Sequence, residues 1–180
     1  MEKYFGLVLG VLALVVVAGG IVSLGTMFKT SIDNIDNLHH DGVFKIVVKR
    51  ANGDTENIGV FHNTFTQYGM NITRDALQGT SVNVSQLALG NGTTPTATDT
   101  ALPGIHTTGG LGIANGDFTN NIGDGNWTVN KTWTATADNM VCNVTGLYVQ
   151  GGNMFAGTTF TSTTLQTDDQ ISVSYTTTVS

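Results

Sequence analysis

The chain has 180 residues and a formal net charge of −6, and charged side chains make up only 11% of it. This length allows one ordinary domain with an extension, and a β domain of roughly 130 to 140 residues can bury an adequate core on its own. After Arg74 the only basic residue is Lys131, so no basic stripe is available to hold phosphate groups and we expect no nucleic-acid partner.

An uncharged apolar run occupies residues 4–28. It is long enough to cross the ~30 Å hydrocarbon layer as a helix, whereas the apolar part of a secretory signal spans only about 7 to 15 residues. Small residues around Ala18 still offer a cleavage position to a signal peptidase, so removal of the run stays an alternative. As a retained helix it would pack against copies of itself. The candidate assembly residues are Gly6, Gly10, Leu12, Val16, Gly20, Leu24 and Phe28.

Apolar side chains recur at three- and four-residue spacing after the run. They are Phe28, Ile32, Ile35 and Leu38. This spacing predicts that the helix continues as an amphipathic stem and ends near Asp41 and Gly42. The sequence therefore predicts a mainly β protein with two parts: a long N-terminal apolar α-helix and stem over residues 1–42, and a β-sandwich or jelly-roll-like head with one short helix over residues 43–180.

This layout resembles that of type IV pilin-like subunits, particularly archaeal ones, in which a short charged segment precedes an apolar helix and a β-rich head. Here the short segment is MEKYFG, with Lys3 as its positive charge and Gly6 as a candidate processing position, and whether processing takes place stays open. No acidic residue lies between Glu2 and Asp33, whereas the bacterial pattern has a glutamate early in the mature helix. The resemblance implies a subunit that polymerises through its N-terminal helix.

The head begins with a predicted β-hairpin, because residues 43–50 and 58–61 are apolar and β-branched and are separated by turn residues. Helical spacing over residues 65–79 then predicts a short helix that ends at Gly79, and a loop rich in Gly, Thr and Pro covers residues 90–110. Further strands are predicted over residues 82–90, 127–133, 140–149, 153–160 and 170–180.

The strand that contains both tryptophans has a predictable register. Side chains alternate between the two faces of a strand, so Trp127, Val129 and Trp133 share one face and Asn126 and Asn130 share the other. We expect the tryptophans to be buried and the asparagines to be exposed.

Residues 71–102 are similar to a segment of structural proteins from tailed phages and archaeal viruses. In that segment a short helix ends in Arg-Asp-Ala-Leu, and a strand and a Gly-Thr-Thr-Pro loop lead to Asp-Thr-Ala-Leu. Residues 154–180 are similar to the C-terminal part of the same proteins, which lack the apolar N-terminus in their usual form. This second resemblance implies a structural role without catalysis.

Six Asn-x-Ser/Thr sequons predict N-linked glycans and an extracellular location. They are Asn71, Asn83, Asn91, Asn126, Asn130 and Asn143. A sequence this rich in Asn and Thr also produces sequons by chance, so their use stays open.

Residues able to support chemistry are few. Cys142 is the only cysteine, so the head has no internal disulfide and the side chain is expected in the core. Adjacent His39 and His40 would point to different sides of a helix, which argues against a joint metal site, and neither His62 nor His106 has a cysteine or glutamate at ligand spacing.

One Asx-rich segment, residues 115–126, offers oxygen ligands for Ca²⁺. The candidate ligands are Asp117, Asn121 and Asp124. The alternative interpretation, a turn loop without a metal, is favoured, and no other cofactor is expected.

The sequence thus predicts a non-enzymatic structural subunit that inserts in a membrane before assembly and then polymerises with itself into an extracellular, glycosylated, pilus-like filament. A virion or tail-associated protein of an archaeal virus or phage is the alternative. An enzyme or carbohydrate-binding module on a membrane anchor is a third class, for which no residue stands out.

Overall fold

The computed structural model describes residues 40–120 and 126–179, which contain ten β-strands and one α-helix. In chain order these elements are β1 (His40–Lys49), β2 (Thr55–His62), β3 (Thr64–Phe65), α1 (Gln67–Leu77), β4 (Val84–Gly90), β5 (Ala114–Asn115), β6 (Asp117–Asn120), β7 (Asn126–Thr134), β8 (Met140–Val149), β9 (Met154–Leu165) and β10 (Gln170–Val179). The compact unit that they form spans His40–Val179.

The strands form two antiparallel sheets of five strands each. The front sheet has the order β2-β1-β10-β7-β6, and the back sheet has the order β3-β9-β8-β4-β5. One core cluster contains buried side chains from both sheets, among them Ile46 and Tyr175 of the front sheet and Leu87 and Leu147 of the back sheet. The two sheets therefore pack face to face around a shared apolar core.

The front sheet buries one face only. In β1, Phe44, Ile46 and Val48 have no exposed surface, whereas the alternate residues Lys45 and Lys49 are exposed and Val47 is half-buried. The central strand β10 follows the same alternation, with a buried side chain at every second residue from Ile171 to Thr177. Alternation of this kind is expected for an antiparallel sheet with one face on the core and the other in water.

The back sheet is buried on both faces. A second cluster lies on its outer face and is formed by Ala88, Leu102, Val144, Tyr148 and Met154. Residues 91–106 cross this face as a loop, and the Tyr148 hydroxyl accepts a hydrogen bond from the Leu102 N–H at 2.6 Å. Because β8 has apolar surface on both sides, its sequence reads as a nearly continuous apolar run.

Asn143 fixes the start of this covering loop. Its side-chain oxygen accepts a hydrogen bond from the Gly92 N–H at 2.9 Å, and its Nδ2 donates to the Gly92 carbonyl at 3.0 Å. The loop also needs a glycine at position 104, where φ is +64° and a Cβ would overlap the Asn91 carbonyl. The Gly-Thr-Thr-Pro segment is therefore part of the architecture of the back sheet.

The predicted fold class is wrong in its first part, the long N-terminal helix with its stem. The stem was expected to reach Asp41, but the chain is already in strand β1 from His40. Residues 1–39 lie outside the described residues, and within the ranges that are described the single helix is α1, with 11 residues. No helix in those ranges is long and apolar enough to cross a membrane. The supported fold class is mainly β, with two antiparallel sheets and one short helix.

The reason for this error is physical. Three- and four-residue spacing shows which face of a helix would be apolar, but it does not show that a helix forms, because helix formation needs a costly nucleus and tertiary support. At His40 and Asp41 the backbone pairs with Val179 and Thr178 instead.

Most elements of the β domain agree with the prediction from sequence. The hairpin of β1 and β2 is confirmed, as is α1, which is followed by Gly79 with a φ of +89°. The long strands β4, β7, β8, β9 and β10 are also confirmed, whereas β3, β5 and β6 were not predicted. These three strands have only two to four residues and lie at sheet edges.

Asp169 joins the β1–β2 hairpin to the turn before β10. Its buried carboxylate accepts hydrogen bonds from the Ala51 N–H at 2.9 Å, from the Gln166 N–H at 3.0 Å and from the Arg50 guanidinium at 3.0 Å. Arg50 also pairs with Glu56 at 2.8 Å. The N–H groups of Gln166 and Ala51, together with Arg50, lower the pKa of Asp169 below its ordinary value.

We predict that Asp169→Asn destabilises the domain by about 2 kcal/mol, because it removes a charge-assisted contact and leaves Arg50 with one partner fewer. Since the folded-state pKa is lowered, the stabilisation by Asp169 is present above the ordinary carboxyl pKa of about 4 and is lost as the pH falls towards the folded-state value. Urea unfolding at pH 7 and at acidic pH measures both effects.

Asp168→Asn, at the neighbouring exposed position with a φ of +70°, is the control and should leave stability within about 0.5 kcal/mol. Equal stability of the two variants at pH 7 would contradict the role given to Asp169.

Candidate functional site

An apolar groove of about 380 Å³ is formed by side chains of α1, of β4 and the residues before it, and of β6, β7 and β9. We refer to it as the edge groove. It is lined by Ile72, Thr73, Ala76, Val82, Asn83, Val84, Phe118, Trp127 and Phe155.

The wall formed by α1 is positioned by its N-terminus. Thr66 caps the helix, since its hydroxyl accepts from the Gly69 N–H at 2.9 Å and donates to the Met154 carbonyl at 2.6 Å. Gly69 lies against the backbone of β9, where a Cβ would overlap the Phe155 carbonyl. The helix therefore sits directly on the back sheet and turns Ile72 and Ala76 towards the groove.

The opposite wall is aromatic. Phe118 of β6 stacks on Trp127 of β7 with ring centroids 5.9 Å apart, and Trp127 contacts Tyr175 of the core at 5.5 Å. Trp127 is half-buried, whereas Phe118 keeps 55% of its surface exposed. This wall connects the core to solvent through a continuous row of aromatic rings.

The chemical character of the edge groove is apolar and uncharged. None of its lining residues is ionisable, and its two polar side chains already have partners: the Thr73 hydroxyl donates to the Gly69 carbonyl at 3.0 Å and Asn83 donates to Gln150 at 2.8 Å. A surface of this kind can bind apolar groups, but it offers no acid, base or nucleophile for a reaction.

A second, shallower depression of about 350 Å³ lies on the outer face of the front sheet. Lys45 and Lys131 line it together with Ser172 and Ser174. Hydroxyl pairs cross the strands on this face, between Thr132 and Ser172 at 2.7 Å and between Thr128 and Thr176 at 3.0 Å. The depression can accept hydrogen-bonding groups, and its hydroxyls mainly stabilise strand pairing.

The candidate Ca²⁺ residues are not brought together within the described ranges. Asp117 lies in β6 opposite Asn130 of β7, whereas Asn121 and Asp124 lie outside the described residues. The segment between β6 and β7 thus connects two paired strands of the front sheet. In the described part of the chain, no three His, Cys, Asp or Glu side chains form a metal-binding group.

The other chemistry-bearing residues have structural surroundings. His106 Nε2 lies 2.9 Å from the Val141 carbonyl, and His62 is exposed on β2. His40 belongs to β1, and His39 lies outside the described residues. Cys142 is fully buried in the core, and this burial raises its pKa to about 12. The Cys142 thiol is therefore unreactive at neutral pH.

The six sequon asparagines differ in exposure. Asn71, Asn83 and Asn91 are exposed, whereas Asn126, Asn130 and Asn143 are half-buried. The predicted register of β7 is correct, since Val129 and Trp133 are buried, but Trp127 is only half-buried because it borders the edge groove.

Sequence reasoning missed the edge groove. Its walls come from three segments that are far apart in the chain, and the short strand β6, which carries Phe118, gave no signal because it lies in a segment rich in Gly, Asn and Asp. The sequence offered one indication of an apolar surface here, which is Phe118 itself as a single phenylalanine in a polar segment.

Comparison with known proteins finds no matching family model, no similar curated protein and no similar solved structure.

We predict that Asn143→Asp destabilises the domain by about 1 to 3 kcal/mol, because a carboxylate keeps the acceptor for the Gly92 N–H but places a second acceptor against the Gly92 carbonyl. Chemical denaturation at pH 7 measures the change. Asn71→Asp is the matched control, since Asn71 is exposed on α1 and its substitution should change stability by less than about 0.5 kcal/mol. Loss of equal size in both variants would show that the Asn143 contact does not hold the covering loop.

Proposed function

We propose that this protein is a non-enzymatic structural subunit that polymerises with itself into an extracellular filament through its apolar N-terminal segment. The observation that carries this proposal is the position of the uncharged run, residues 4–28, ahead of the β domain. Among the described residues, the buried members of the main core cluster lie between Phe44 and Tyr175. We propose that the run makes its contacts with other subunits.

The energetics favour assembly through this run. Of its 25 residues, 18 are hydrophobic, and each hydrophobic side chain that leaves water contributes roughly 1.5 to 3 kcal/mol. The β domain is poor in charge, and exposed ion pairs contribute only about 0 to 1 kcal/mol each. A membrane would hold the run before assembly, and contacts between subunits would replace the lipid afterwards.

The surface of the β domain is consistent with a structural role. The edge groove is uncharged, and the depression on the front sheet presents hydroxyls, amides and two lysines. Both surfaces suit contacts better than catalysis. The exposed sequons at Asn71 and Asn91, which lie outside the lining of the edge groove, are the positions at which we propose N-linked glycans, which would face outward from a filament.

A virion or tail-associated protein is the second candidate. It is favoured by the segment similar to viral structural proteins, residues 71–102, which spans most of α1, all of β4 and the loop that covers the back sheet. Electron microscopy of particles purified from the source culture separates the two candidates, since filaments without a capsid support the first and filaments or tails attached to a capsid support the second.

We predict that Leu12→Asp abolishes assembly of the full-length chain, because a charge within the apolar run would have to be buried without a partner. Sedimentation and negative-stain microscopy measure assembly, and circular dichroism checks that the β domain stays folded. Wild-type assemblies should survive 1 M NaCl, at which exposed charges are screened within roughly 3 Å, and should dissolve in mild detergent.

The control is Ser162→Asp, which places the same charge at an exposed position of β9 and should leave assembly unchanged. Disassembly by salt or by a chelator alone would contradict the proposal and would point to ionic or Ca²⁺-mediated contacts between β domains.

A further inference from the structure

We infer that the edge groove is the receptor for the apolar run, residues 4–28, of a neighbouring subunit. This inference rests on the proposed function, because it names the surface on which the polymerising segment docks.

The first argument is chemical complementarity. The lining of the edge groove contains no ionisable side chain, and its polar groups at Thr73 and Asn83 are already hydrogen-bonded within the domain. The run has no charge from Tyr4 to Phe28. An uncharged apolar segment therefore covers this surface without desolvating a charged side chain and without separating Thr73 and Asn83 from their hydrogen-bond partners.

The second argument is the apolar surface that surrounds the groove. Phe118, Met70 and Leu77 are 55%, 53% and 77% exposed, and they are among the large hydrophobic side chains that the domain leaves in water. Met70 and Leu77 lie three and four residues from Thr73 on the same stripe of α1, so they extend the wall of the groove outward. Contiguous exposed apolar surface of this kind marks an interaction site.

The third argument is the place at which the chain enters the domain. Thr177 of β10 pairs with Gly42 of β1 on one side and with Trp127 of β7 on the other. Strand β1 therefore begins at the end of the front sheet where Trp127 forms a wall of the groove, about 10 Å away across two strand spacings. Residues 29–39 connect the run to β1 and can span about 36 Å when extended, which is enough to carry the run to an adjacent domain.

Cross-linking between two variants, each with one added cysteine, tests the contact in the full-length chain. One variant carries Ala76→Cys, at an exposed position in the groove lining, and the other carries Leu24→Cys, in the run. The native Cys142 is buried with its pKa raised to about 12, so it does not compete for a thiol-specific reagent. The two variants, one with an affinity tag, are mixed, assembled and treated with a short bismaleimide.

Covalent heterodimers of the two variants are expected, at a yield at least tenfold above that of the control pair. In the control pair Ser162→Cys, exposed on β9 and absent from the groove lining, replaces Ala76→Cys. Equal yields from the two pairs would overturn the inference. A chain that carries both Ala76→Cys and Leu24→Cys and cross-links only within itself would also overturn it, since the groove would then hold its own segment.

Matched substitutions give an independent measurement. Phe118→Asp should raise the protein concentration needed for assembly at least tenfold, because it places a charge in the apolar wall of the groove. Val60→Asp is the control: Val60 is 58% exposed and lies on β2, at the opposite edge of the front sheet, so assembly should not change. Circular dichroism and thermal unfolding establish that both variants are folded.

The outcomes separate this inference from the proposed function. If the wild-type protein assembles, Leu12→Asp does not, and Phe118→Asp assembles like Val60→Asp, the run drives polymerisation but docks elsewhere, and the inference fails alone. If the wild-type protein does not assemble at all, the proposed function fails. Loss of assembly in both Phe118→Asp and Val60→Asp would also overturn the inference, because the effect would not be specific to the groove.

Discussion

The architecture depends on burial of the back sheet from both sides. One face of this sheet packs on the front sheet, and the other is covered by residues 91–106, which bring Leu102 against Tyr148 and Met154. A loop can lie this close to a sheet only if its backbone groups find partners and its Cβ atoms do not collide. Asn143 supplies the partners at Gly92, and glycine at position 104 avoids the collision. These contacts allow a domain without a disulfide to bury apolar surface on three layers.

The outer face of the front sheet and the edge beside α1 are not covered by this loop, and they differ in polarity. The outer face of the front sheet is made polar by Thr, Ser and Lys side chains, so it needs no covering element. The edge beside α1 is not made polar in this way. The short strand β6 lies there, and its Phe118 stacks on Trp127 and lines the edge groove together with apolar side chains of α1. The edge groove therefore follows from the way in which the two sheets end.

The sequence predicted the elements whose signals are local. Alternating apolar residues predicted β1 and β10, and Gly79 predicted the end of α1, because side-chain periodicity and turn residues act within a few positions. The edge groove could not be predicted, since it requires Ile72, Val84 and Phe118 to meet and their pairing is set by sheet order rather than by local pattern. The N-terminal stem shows the opposite error, because a local apolar pattern was extended to His40, where pairing with β10 determines the backbone.

If the run docks in the edge groove as proposed, the stability of the domain and the stability of the assembly should respond to different conditions. The run and the edge groove contain no carboxylate, histidine or amine, so a contact between them has no titrating group between pH 3 and 9 of its own. The β domain does contain a titrating group on which its stability depends. This group is Asp169, whose pKa is lowered and which holds the hairpin of β1 and β2 to the turn before β10. Acid would therefore act on an assembly through unfolding of its domains and not through release of the apolar segment. Detergent would act in the reverse order, because it competes for apolar surface while leaving the hydrogen bonds of Asp169 in place.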